Sequence, residues 1–379
     1  IIGRLVGSEM CIRDRHNSAT SDAITTAADG TCTAKLTSVG GQQLSNRNLL
    51  INGDMQISQR NGTTSTAYTN AQYSLDRWQI VNDNASSRFT TQQVTDAPVG
   101  FYHSLKMTSS SAHTPLSGEV FGVGQKIEGY NTNWLEFGTS NAKSITISFF
   151  VKSSLTGTFG GSVLNNGMTR GFPWTYTISS ANTWERKTVT VVGCPDGTWD
   201  PFNTTGIRVH WSMGAHANRS DTAGQWSSTT YSFHPTGATD VVATNGATLQ
   251  ITGCQVEVGD TATTYEHRSY AEELTRCQRY YQKSYSGDVV GFTGTPLANS
   301  GSALGIAKFT TEMRAAPTIT LRDGTGAIGK ATQHGNNYLD ATAGGIQTNG
   351  FRSVSRTSGN WSSNAQQMVQ AGYFAEAEL

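Results

Sequence analysis

The sequence predicts an all-β protein: a jelly-roll β-sandwich, then a short helix, then a β-rich C-terminal head domain. Three observations predict it. Charged residues are only 14% of the 379, with 41 glycines and abundant Ser, Thr and Asn, whereas ordinary globular chains carry about a quarter charged residues. Short runs that alternate apolar and polar side chains recur between Gly and Asn turns, which is the period of strands with one buried face. Over residues 249–285, LQITGCQVEVGDTATTYEHRSYAEELTRCQRYYQKSY, period two gives way to a spacing of three and four, so a strand runs into a helix. The length allows two or three domains and at least one sizeable core.

Residues 1–15, IIGRLVGSEMCIRDR, are set apart from the fold. GSEMCIRDR resembles the translation of a sequencing adapter at the broken end of a gene assembly, which implies that the native N-terminus is missing. Residues 16–47 are an N-terminal β element and linker. The Asp29-Gly30 pair in SDAITTAADGTCTA predicts a hairpin turn, but the flanking apolar content is too thin to fold alone, so identical chains around a shared axis are its expected support.

The sandwich is placed at 48–267. In NLLINGDMQISQRN, Leu49, Ile51 and Ile57 give a strand interrupted at Asn52-Gly53-Asp54, and LDRWQI gives another. Further strands are expected at 104–108, 118–127, 145–151, 157–164, 174–178, 185–192, 206–213, 226–233 and 248–258. Ile145, Ile147 and Phe149 alternate with Thr146 and Ser148, and Ile207, Val209, Trp211 and Met213 with Arg208, His210 and Ser212. Strands of this kind bury one face each, so two antiparallel sheets packed face to face accommodate them. In the last strand the apolar phase flips from Leu249 and Ile251 to Cys254, Val256 and Val258, which predicts a bulge near Gly253. A connecting helix follows over 268–284, with Tyr270, Leu274, Cys277 and Tyr281 on one face and Ser269 and Glu272 as its capping box. Residues 285–379 return to β, with strands either side of Pro317 and a last strand near the end. This head is rich in Gly and thin in large aliphatics, so packing on copies of itself is expected to stabilise it.

Composition narrows the partners. The 27 basic and 27 acidic residues cancel, and no basic stripe with interleaved aromatics appears, so nucleic acid is not an expected partner. No run has the apolar length that a membrane span requires, and insertion into a membrane is not expected. The five cysteines, Cys11, Cys32, Cys194, Cys254 and Cys277, lack paired metal spacing and read as buried free thiols rather than a disulfide set.

Laid out in this order, the chain resembles the tail fibre and receptor-recognition proteins of tailed bacteriophages. SDAITTAADGTCTA, SNRNLLINGDMQISQR, ITGCQVEVGDTATTYEHRSYAEELTRCQRYYQ, and KFTTEMRAAPTIT with the closing AEL carry the likeness. NLLINGDM also resembles the first strand of jelly-roll carbohydrate-binding modules, and GDTATTYE the end of their last, which implies a galactose-binding-like sandwich. The resemblance implies a homotrimeric fibre end in the virion, made in the host bacterial cytoplasm and joined to other phage tail proteins. Its expected partner is a bacterial surface polysaccharide or lipopolysaccharide. In such modules the opening motif commonly continues Gly-Asp-Phe-Glu, and that Glu helps to hold a structural calcium. Here Gln56 stands in its place, which removes a hard anionic ligand. Asp54 and Glu257 remain candidate ligands, the alternative being a turn Asp and a solvated strand Glu. No other cofactor is expected.

Catalysis finds no motif. A glycan hydrolase needs two carboxylates across a cleft; Glu119, Glu128, Glu136 and Glu185, or Asp196 with Asp200, pair only on paper. No nucleophile elbow, His-Glu-x-x-His or phosphate loop occurs. The protein is therefore expected not to be an enzyme, with a surface-polysaccharide depolymerase and a purely structural virion decoration protein as alternatives. Sugar recognition uses aromatic faces against C–H patches, with amides, carboxylates and Arg on the hydroxyls. Loops that combine these groups make Trp134, Trp174, Trp199, Asp200, Arg219 and Trp226 candidates, and His334, Tyr338 and Trp361 form a rival set in the head. Trp199, between Gly197 and Pro201, is the best candidate for exposure. Trp78, Trp184 and Trp211 fall in strand patterns and are assigned to the core.

Overall fold

The computed structural model describes residues 24–26, 32–34, 46–284, 291–333, 337–361 and 368–379, with backbone alone at 24–26, 32–34, 337 and 338. Residues 1–15 and the Asp29-Gly30 turn lie outside the described residues. The hairpin expected around that turn is present: β1 (Ile24–Thr26) pairs antiparallel with β2 (Cys32–Ala34), Thr25 opposite Thr33.

The sandwich comprises β3 (Thr66–Ala67), β4 (Gln79–Asn82), β5 (Phe89–Val94), β6 (Ser104–Ser109), β7 (Val120–Glu128), β8 (Ile145–Ser153), β9 (Gly157–Asn165), β10 (Gly171–Ile178), β11 (Glu185–Val191), β12 (Thr205–Ala215) and β15 (Thr248–Val258). A short parallel pair, β13 (Ser220–Asp221) and β14 (His234–Pro235), lies apart from its two sheets. One sheet has the order β10-β9-β12-β7-β4 and the other β11-β8-β15-β6-β5-β3. Their inner faces meet around Trp211, whose ring lies 5.4 Å from Trp78, 5.7 Å from Phe149 and 5.8 Å from Trp174. The jelly-roll sandwich is thus the fold, built on the alternation that Ile145–Phe149 and Ile207–Met213 display.

Several local expectations change. The bulge is where the phase flip puts it: against β8, β15 skips register between Thr252 and Gln255, and Gly253 has φ +59°. The segment around Leu49 and Ile51 is not a strand, because Asn52 and Met55 take positive φ and turn the chain. Even so, it runs beside β15, with the Leu49 N–H on the Val256 carbonyl at 2.8 Å and the Cys254 N–H on the Gly53 carbonyl at 2.9 Å. A Cβ on Gly53 would stand 2.1 Å from the Cys254 oxygen, so only glycine permits this approach. The span 226–233 is a loop, held to Gly171 by a single bridge at Ser227. The strand β5, FTTQQV, escaped notice because its inward Thr91 and Gln93 are polar. Trp184 leaves the core; its indole N–H reaches the Asp96 carboxylate at 3.2 Å near the surface.

Helix α1 is shorter than expected, Tyr270–Gln278, with the Ser269 hydroxyl accepting the Glu272 N–H. Of the stripe read from the sequence, Cys277 is buried and shares the inner face with Glu273, whereas Leu274 is half-buried and Tyr270 exposed. Glu273 accepts the Asn52 N–H and pairs with Arg268 at 3.3 Å, so a carboxylate rather than an apolar row fastens the helix to the sandwich. Tyr281 belongs to a strand, as its aromatic neighbourhood favours. Cys277 and Tyr281 are both buried within the single chain.

The head consists of β16 (Tyr281–Lys283), β17 (Phe292–Pro296), β18 (Ser302–Lys308), β19 (Thr318–Arg322), β20 (Lys330–Gln333), β21 (Asn337–Gly344), β22 (Gly350–Arg356) and β23 (Val369–Glu376). The start of β23 pairs with β17 and β20, closing a six-strand ring through β18, β22 and β21, and its end pairs with β16 and β19. Phe292, Phe309, Phe351, Trp361 and Tyr373 fill this unit, Phe292 stacked on Phe351 at 5.4 Å. The head therefore has an aromatic core within a single chain. Charged residues join the two units. Glu128 receives Arg279 through two bonds of 3.0 Å and the Tyr280 hydroxyl at 2.5 Å. Burial pushes the Glu128 carboxyl up, but these donors outweigh it and hold it below its ordinary range.

Candidate functional site

Between two 3₁₀ turns and the start of the sandwich lies an open groove of about 450 Å³, lined by Asn46, Asn48, Leu49, Ile51, Tyr130, Asn131, Trp134 and Arg276. Its wall is the turn pair Gly129–Asn131 and Asn133–Leu135. Gly129 starts it where a Cβ would fall 2.1 Å from the Asp200 oxygen, Leu135 is fully buried as its anchor, and Glu136 ends it at φ +59°. The Trp134 indole N–H bonds its own turn at the Asn131 carbonyl, 3.0 Å, and the Lys143 ammonium binds the Trp134 carbonyl at 2.7 Å. This fixes the ring while leaving it half-buried, beside an exposed Tyr130. Across the groove, Glu272 pairs with Arg276 one helical turn on at 2.8 Å, and the same guanidinium donates to the Asn46 side-chain oxygen at 2.9 Å. Two aromatic rings, amides and an oriented guanidinium are the groups that grip a hydroxylated ring.

Of the candidate glycan-binding residues that the structure describes, Trp134 alone lines this groove, together with Tyr130 and Asn131 of its own loop. Trp199 and Trp226 come together instead with Phe137 and Phe172, edge to face at 4.9–5.8 Å, and their indole N–H groups bond the Asp196 and Val192 carbonyls. Trp199 is consequently only half exposed, because its flanks pack on other rings. The hollow beside it and Asp200 holds about 30 Å³, room for about one water and not for a sugar ring. Asp200 accepts the Phe202 N–H at 3.0 Å. Trp174 is in the core at 1% exposure, contrary to its candidacy, because its strand faces it toward Phe149. Trp361 is buried at 2% with its N–H on the Val354 carbonyl. Arg219 is spent on the Gly118 carbonyl and lies 4.3 Å from the Tyr231 ring centre, away from the groove. His334 and the Tyr338 side chain lie outside the described residues. Asn46 and Arg276 were missed because nothing in their local sequence distinguishes them from a linker amide and a helix-surface cation.

The carboxylates are engaged. Glu119 binds His113 and Asn84; Glu185 binds Lys187; Asp196 takes two bonds from Arg170; Glu136 pairs with Lys143. For the calcium pair, Glu257 is fully buried rather than solvated. It accepts the Thr263 N–H at 2.8 Å, the Thr263 hydroxyl at 2.6 Å and the Gln255 amide at 2.9 Å, so both oxygens are already engaged within the chain. Asp54 is buried as well, with one oxygen on the Gln56 amide and the other without a partner among the described residues. Among the described residues no three His, Cys, Asp or Glu are grouped to hold a metal. The pair does not fit a calcium ion, and the expected result of adding EDTA is an unchanged melting temperature; a fall of several degrees would contradict this.

No family model matches the chain, and no curated protein matches it. Solved structures similar to it include a putative sugar-binding protein from Bacteroides thetaiotaomicron (13% identity, 56% of this chain and 100% of that one, TM-score 0.34). TmCBM61 in complex with β-1,4-galactotriose (9%, 56% and 100%, TM-score 0.29) is another. A third is the enzymatically active domain of bacteriophage CBA120 tailspike protein 4 (12% identity, TM-score 0.30). The similar part covers 56% of this chain and only 21% of that tailspike chain.

Proposed function

We propose that this protein binds carbohydrate through the groove of Tyr130, Trp134, Asn46, Asn131 and Arg276. The observation that carries the reading is the fixed Trp134 ring beside an exposed Tyr130, opposite a guanidinium already aimed by Glu272. Aromatic faces take the C–H side of a sugar while the amides and Arg276 take its hydroxyls. The wider role is a non-enzymatic adhesin of a phage tail fibre, acting on a bacterial surface glycan. The resemblance of NLLINGDM and the 251–282 block supports it, together with a jelly roll leading through a short helix into a β head. Three copies on one fibre would gain avidity over a single weak groove, by about a hundredfold where geometry permits.

Glycan-array binding of the intact protein tests the reading. Trp134→Ala is expected to lower affinity at least tenfold, since loss of one stacking ring costs about 1.4 kcal/mol or more, with the melting temperature little changed because the ring is half exposed. Unchanged binding in Trp134→Ala would move the site elsewhere. Release of oligosaccharide from host capsule would favour the depolymerase instead.

A further inference from the structure

We propose a second saccharide site in the cleft between the sandwich and the head, one that neither unit forms alone. The inference rests on the carbohydrate reading of the groove above. The cleft encloses about 340 Å³, within the range of roughly 300–1,000 Å³ for small-molecule sites. From the sandwich come Arg60, Tyr68 and Gln72, and from the head Tyr281, Phe374 and Glu376. The Arg60 guanidinium lies 3.8 Å from the Tyr281 ring centre and 5.1 Å from that of Tyr73. Tyr281 stacks with Phe374, the planes 25° apart.

The chemistry selects a neutral, hydroxyl-rich ligand. Arg60 is the basic residue among the described lining, and its charge is met by Glu376 at 2.8 Å and Glu378 at 2.9 Å, so it offers a phosphate or sulfate no unpaired charge; Arg322, 5.4 Å from the Phe374 ring centre, does not line the cleft. Glu376 keeps 47% of its side chain exposed while bound to Arg60, which orients a carboxylate able to accept from a hydroxyl. The Gln72 side chain is exposed and its oxygen accepts the Thr69 N–H, which turns the amide into a fixed element of the wall. Tyr281 is itself buried under Arg60 and against Phe374, so the half-buried Tyr68 of the sandwich and Phe374 of the head supply the aromatic surface for a pyranose. Because β16, β19 and β23 of the head and the 60–73 segment of the sandwich, which includes β3, each contribute, a bound sugar also bridges the two units.

Calorimetric titration of the full chain with maltohexaose, cellohexaose and laminarihexaose tests the site. Thr318→Trp fills the cleft from an exposed strand position, and Gln72→Ala removes an exposed amide; circular dichroism melts verify that both fold. For at least one sugar the wild type is expected to show two sites, the cleft variants one site, and Trp134→Ala the other. Binding that is lost in Trp134→Ala and untouched by both cleft variants overturns the cleft and leaves the groove standing. A single site lost in the cleft variants and retained in Trp134→Ala overturns the groove reading instead. No binding of any of the three sugars overturns both.

Discussion

Acidification from about pH 7 to about pH 4.5 is expected to destabilise this protein by about 3 kcal/mol, and His210→Leu to remove a large part of the loss. His210 and His234 are buried at 2% and 3% exposure on the outer side of the five-stranded sheet. Among the described residues His210 has no partner at either ring nitrogen; it lies edge-on to Phe233 and fits only because Gly122 leaves it room: a Cβ there would approach the ring to 2.6 Å. Burial, with the neighbouring His234, holds His210 down at about 3. Burial likewise holds His234 at about 4, with Ser212 at 2.7 Å on one nitrogen and Asp240 3.8 Å from the other. Both values are depressed in the fold, so the stability they contribute is complete above about 6.5 and is lost as pH falls toward 4 and then 3. At two pH units below 6.5 each costs about 2.7 kcal/mol, together about 5. Asp76 acts in the opposite sense. Burial raises it to about 6, against two bonds from Gln59, so it favours the fold on the acid side and offsets about 2 kcal/mol. Urea melts at stepped pH check this. A slope in His210→Leu equal to that of wild type would refute it.

Glu378→Ala is expected to cost about 3–5 kcal/mol, the usual loss when one partner of a buried ion pair is removed. Arg77 is 1% exposed, has φ +71°, stacks 3.5 Å from the Tyr280 ring centre, and donates to Glu378 and the Lys126 carbonyl. Burial opposes its charge, yet Glu378 together with Tyr280, Tyr73 and Cys277 outweighs this and raises it above its ordinary value. Removing Glu378 leaves the buried Arg77 guanidinium without the carboxylate it is paired to. The same segment is held by Arg314 on the Ala377 and Glu378 carbonyls and by Lys126 on the Leu379 carbonyl. Burial, with Arg208 and Arg77 nearby, pulls the Lys126 ammonium down to about 8. The neighbouring Glu376 is half exposed, and Glu376→Ala is expected to cost no more than about 1 kcal/mol. Equal melting temperatures for the two variants would show that the pair does not tie the head to the sandwich.

Alternation determined the sandwich. Ile145–Phe149 and Ile207–Met213 allow only one inward face each, and the phase flip at Gly253 could be resolved only by a bulge. Ser269 likewise marked the start of α1, since a hydroxyl there answers an otherwise unpaired N–H. Tertiary structure decided what periodicity does not encode. Whether a Trp is exposed depends on what covers it from elsewhere in the chain: Trp174 faces Phe149, Trp199 meets Phe137 and Trp226, and Trp134 meets open groove. The groove itself joins Asn46, Trp134 and Arg276, more than 200 residues end to end, and no local pattern reports such a meeting. Charge was the least legible, because Glu273 on the buried face of α1 and the Arg77–Glu378 pair look like surface residues until their partners are known. Burying them is stable only where distant donors and counter-charges converge, and that convergence is a property of the folded chain.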